Sequence, residues 1–219
     1  QTGFTPQFLN SFKASLDSID PLTNIALITM SNRLVFYDFS RGKEFIITDL
    51  SDVAIPSCPM VPIQQCKEDV ISVIDNLLAN IQAGVYNTHG NCLGSALQLA
   101  QQAMIENGGV LLLSAAGHPT IGPHAIKARS SDDEAQLTSF PQESSKFYRD
   151  IGFMLNHSSI SVHLFCIKPP TQKYCELSII SVPCGLTAGA CHYYTSFDPV
   201  QLHNDIFSTL LRNTYGILQ

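Results

Sequence analysis

Residues Gly90-Asn91-Cys92-Leu93-Gly94 spell G-x-C-x-G, the cysteine form of the turn that presents a hydrolase nucleophile. A nucleophilic Cys92 needs a strand running straight into the turn and a base to take its proton. The residues before it, "GVYNTHGN" (84–91), are polar and glycine-containing, too short a β-run to be that strand. The local reading is a loop entering a helix, with Gly90 or Asn91 near the N-cap. A cysteine hydrolase on Cys92 stays an alternative with one discriminating property: its thiol would label fast near neutral pH.

The other reactive side chains form no recognisable set. His163 alternates with apolar neighbours in "ISVHLFCI" and reads as a structural histidine. His118 and His124 lie in a long connection, and no spacing pairs them with a nucleophile. The seven cysteines (58, 66, 92, 166, 175, 184, 191) include no C-x-x-C, so no zinc site is expected; they read as small core residues in a reducing setting. There is no G-x-G-x-x-G and no Walker A sequence, and Asp132-Asp133-Glu134 reads as a solvated loop.

Bulk properties narrow the class. The chain of 219 residues is 45 % hydrophobic and 14 % charged, the balance of a globular domain with its own core. Net charge is −6 and no two Lys or Arg are adjacent, which argues against a nucleic-acid or anionic-membrane surface. No apolar run is long enough to span a bilayer, and no signal peptide is visible. The absence of an initiator Met suggests a fragment or processed product.

The elements that must position these residues follow from periodicity. A helix is expected over 6–19, with Thr5 as N-cap and Pro21 ending it. Strands are expected at 24–30 and 33–39, joined through Ser31-Asn32, and at 44–50. Pro56, Pro59 and Pro62 make 51–66 an extended loop. Helical stripes follow at 67–81 and 94–106, then a strand at 110–116 apolar enough to be buried on both sides. A long connection covers 117–141; a helix at 143–157 carries Phe147, Ile151 and Leu155 in register. Strands are expected at 160–167 and 191–197, and Asp198-Pro199 opens a last helix. The helix–strand alternation after residue 67 predicts one α/β domain, a sheet covered on both faces.

Several of these segments, in order, resemble the trunk domain of the cargo-adaptor subunit of the COPII vesicle coat, the Sec24 family. "DLSDVAIPS" (49–57) is similar to a D-L-x-D-V-x-x-P segment of that family. "THGNCLGSALQLAQQAMIENGGVLLL" (88–113) is similar to its S-A-L-G-x-A-L-x-x-A helix followed by Gly-Gly and a strand. "PTIGPHAIKAR" (119–129), "SSKFYRDIGFML" (144–155), "ISVHLFCI" and "GACHYYTSF" resemble further stretches of the same trunk.

The resemblance implies a von Willebrand A-like fold: a mostly parallel sheet flanked by helices on both faces. It implies a scaffold with no cofactor, not an enzyme. The partner would be the other inner-coat subunit, in a heterodimer. Cargo or SNARE sorting signals would bind through the full-length protein, which would be cytoplasmic and peripheral on the endoplasmic-reticulum membrane and COPII vesicles. A stand-alone A-type binding domain is the alternative. It would need a divalent ion, yet Asn91 and Ala116-Gly117 stand where such domains carry Thr and Asp-Gly, and D-x-S-x-S is absent. No metal site is therefore expected.

The resemblance also places a first strand before Gln1, near the sheet centre, and zinc-finger, β-sandwich, helical and gelsolin-like parts that this chain lacks. "CELSIISV" (175–182) scans as a strand, whereas the resemblance puts a helix over 172–182 ending at Pro183. Candidate partner contacts are Ile55, Met60, Val61 and Ile63 in segment 51–64, with Tyr193 and Tyr194.

Overall fold

Two half-sheets, each ending in a strand that has no partner on its cleft side among the described residues, flank one cleft. A computed structural model describes the backbone of residues 3–55, 60–85, 90–127 and 142–211, and their side chains except at 142–144. Pro56, Pro59, Cys58 and the acidic run 132–134 lie outside the described residues.

The first half-sheet is an antiparallel meander, β2 (Leu27–Met30), β3 (Leu34–Asp38) and β4 (Lys43–Ile47). Its first hairpin closes at Met30–Leu34 over three residues, with Ser31 N–H donating to Arg33 O at 3.0 Å, one residue more than the expected Ser31-Asn32 turn. A short β1 (Asn24–Ile25) leaves this sheet and pairs with β5 (Val61–Pro62). Two strand residues therefore sit inside the segment read as loop, because Pro62 needs no amide hydrogen at the edge of so short a ladder. Immediately after Pro62, α2 (Ile63–Gln82) begins, four residues earlier than expected. It buries Ile63, Cys66, Val70, Ile74 and Leu77 on one face.

The second half-sheet is parallel, in the order β6 (Gly109–Ala116), β7 (Ile160–Ile167), β8 (Ala190–Tyr194). Helix α4 (Gln142–His157) connects β6 to β7; two short helices, α5 (Leu177–Ile180) and α6 (Val182–Leu186), connect β7 to β8. Of the two readings of this stretch the helix followed from the resemblance holds over 177–180 and 182–186, starting five residues later than the expected Gln172, and the alternative strand over 175–182 is not formed. Pro183 sits in the first turn of α6 rather than ending the run, since a proline costs nothing where no amide partner exists.

Period-two alternation along β7 sorts the layers. Ile160, Val162, Leu164 and Cys166 pack into one core with Leu97, Tyr148, Ile151 and Leu155, under α3 (Leu93–Met104) and α4. Phe165 and Ile167 point the other way, to Phe4, Tyr194, Leu202 and Ile206 of α1 (Phe4–Ser15), β8 and α7 (Pro199–Leu211). Gly3, not Thr5, caps α1. Asp198 caps α7 as expected, accepting Val200 N–H at 2.9 Å.

β6 departs from expectation. Its apolar residues Val110, Leu111 and Leu112 are only half-buried, because β6 has a partner on one side alone among the described residues. β2, likewise half-buried throughout, is the terminal strand of the other half-sheet. Both line a cleft of about 1870 Å³, with Phe12 of α1 and Ala100 and Ala103 of α3 on its walls.

Candidate functional site

In an open α/β sheet, ligands bind in the crevice beyond the carboxyl ends of the strands. Here that crevice is bounded by residues 90–93, 116–124 and 168–176, following β6 and β7 or preceding α3. What fills it decides what it can do.

Every polar group of Asn91 bonds to its own chain. Its side-chain Nδ2 donates to Gly117 O at 3.1 Å, and its Oδ1 accepts Leu93 N–H at 3.1 Å at the start of α3. Its backbone carbonyl accepts from Thr120 N–H at 2.9 Å and Ile121 N–H at 3.2 Å. Gln172 closes the other side: its Oε1 accepts His118 N–H at 2.9 Å and its Nε2 donates to His118 O at 3.3 Å. The His118 ring, 6 % exposed, meets Tyr174 O through Nδ1 at 3.0 Å. Uncharged amides and backbone, not carboxylates, hold the three loops together. Among the described residues no three His, Cys, Asp or Glu side chains are placed to hold a metal ion.

Cys92 points into the core. It is fully buried with Leu34, Phe36, Ala96 and Leu99, and its Sγ faces Arg33 O at 3.9 Å. Burial pushes its thiol up to about 11, the opposite of what a nucleophile needs. The glycines of the motif have a packing cause. A Cβ on Gly94 would lie 2.6 Å from His124 Cβ, and one on Gly90 would lie 2.4 Å from Ile121 Cδ1. The loop after β6 therefore rests directly on the start of α3, and the His124 ring stacks on Phe147 at 3.4 Å between centroids. Burial holds the His124 imidazole below its ordinary range. His163 is buried beside Ser161 Oγ, 3.2 Å from its Nε2.

The proposed contact residues separate by burial. Val61, Ile63 and Tyr194 are inside: Val61 and Ile63 pack with Leu16 and Val70, and the Tyr194 hydroxyl donates to Asp205 Oδ2 at 2.7 Å. Ile55 and Met60 are half-buried, and Tyr193 is 37 % exposed. Sequence reasoning missed what fixes segment 50–55. Ser95 Oγ donates to Leu50 O at 2.9 Å, and Gln102 Nε2 donates to Val53 O at 2.6 Å. The available signal was two polar residues on α3 seven apart, hence on one face of the helix.

A family model described as the Sec23/Sec24 trunk domain matches residues 1–214. The chain is 28 % identical over 219 residues to protein transport protein Sec24A of Bos taurus, a match covering 89 % of this chain and 19 % of that protein. It is 24 % identical over 222 residues to protein transport protein SEC24 C of Arabidopsis thaliana, covering 94 % and 20 %. These matches span 19–20 % of the relatives' length. The crystal structure of the human COPII-coat protein Sec24c superposes with a TM-score of 0.78 over 94 % of this chain and 30 % of that one, at 18 % identity. That likeness bears on the fold, an A-like α/β trunk.

Proposed function

Because the chain belongs to the Sec23/Sec24 trunk domain family, we propose that it is the scaffold trunk of a COPII cargo adaptor, acting in transport from endoplasmic reticulum to Golgi. The observation that carries this is the crevice beyond the strands. Asn91, Gln172 and His118 spend their hydrogen bonds on the chain's own backbone, which suits a body that docks rather than one that performs chemistry.

The partner is the trunk of the other inner-coat subunit, and the two form a heterodimer. Met60 and Tyr193, with Ile55, offer direct contact because they keep surface; Val61, Ile63 and Tyr194 hold the contact segments in shape from below. Aromatic and methionine side chains suit such anchors. Cargo and SNARE sorting signals engage the full-length protein. No described helix is long and apolar enough to cross a membrane, consistent with a peripheral place on the endoplasmic-reticulum membrane.

The resemblance puts the family's first strand near the sheet centre, and in this fold the cleft between the terminal strands β2 and β6 is the place it would take. A strand paired with both would join the half-sheets and bury the apolar face of β6. The test of the reading is co-elution of the trunk with the partner trunk as a 1:1 complex.

A further inference from the structure

We draw no further inference here: the strongest candidate, the apolar stripe of Val200, Phe207 and Leu211 on the outer face of α7, is exposed among the described residues, and nothing in the structure shows what covers it.

Discussion

The Asn91 side-chain amide donates to the Gly117 carbonyl at 3.1 Å, tying the start of α3 to the tip of β6. The same side chain caps α3 through Leu93 N–H. One residue thus ties the strand-tip loop to the helix entry through two side-chain hydrogen bonds. Asn91→Ala should lower stability by about 1–2 kcal/mol, from a lost cap and an unpaired carbonyl. Urea unfolding followed by circular dichroism would read this as a lower midpoint with an unchanged slope.

Gly94→Ala tests the packing account of the G-x-C-x-G stretch. Its Cβ would press on His124 Cβ, a site with no flexible end to yield. Overpacking of this kind costs about 1–3 kcal/mol. If the variant matched the parent protein in stability, the motif would need another explanation.

His124 gives the fold a pH dependence. Burial lowers its pKa in the folded chain, so the unfolded chain binds more protons once pH falls below the ordinary histidine value. Its contribution to stability is therefore full above that value, is lost as pH drops through the folded pKa, and is flat below it. Denaturation midpoints measured between pH 7.5 and 5 should fall for the parent protein and fall less for His124→Leu.

The half-sheets predict uneven backbone exchange. In the 219-residue chain, amides of β6 at Val110–Leu112 should exchange faster than those of β7, which is paired on both sides. If a further strand pairs in the cleft, as proposed, β6 should be protected like β7 in a chain that carries it. Equal exchange of β6 in both would argue against an added strand.

Much of this architecture was legible in residue order. The apolar stripes of α2, α4 and α7, the buried run of β7 and the Asp198 cap are local signals that tertiary packing had no reason to override. β5 was hidden because a two-residue strand has no periodicity and this one holds Pro62, and so was the break at Ala26 that splits the expected 24–30 strand into β1 and β2 with different partners. The exposure of β6 was hidden because an apolar run reads the same whether its edge is paired or open. At the crevice, Asn91 was visible as a replaced ligand position, but not its bond to Gly117. Gln172 was invisible, since it acts across 54 residues of sequence on His118.

The central claim, that this fold is a docking body in the coat, is tested most directly by sedimentation equilibrium of the trunk, its cleft strand included, mixed with the partner inner-coat trunk. The account predicts a 1:1 complex at micromolar concentration, weakened by Tyr193→Glu by more than any loss in that variant's own unfolding midpoint explains. Two species sedimenting independently at that concentration would contradict it.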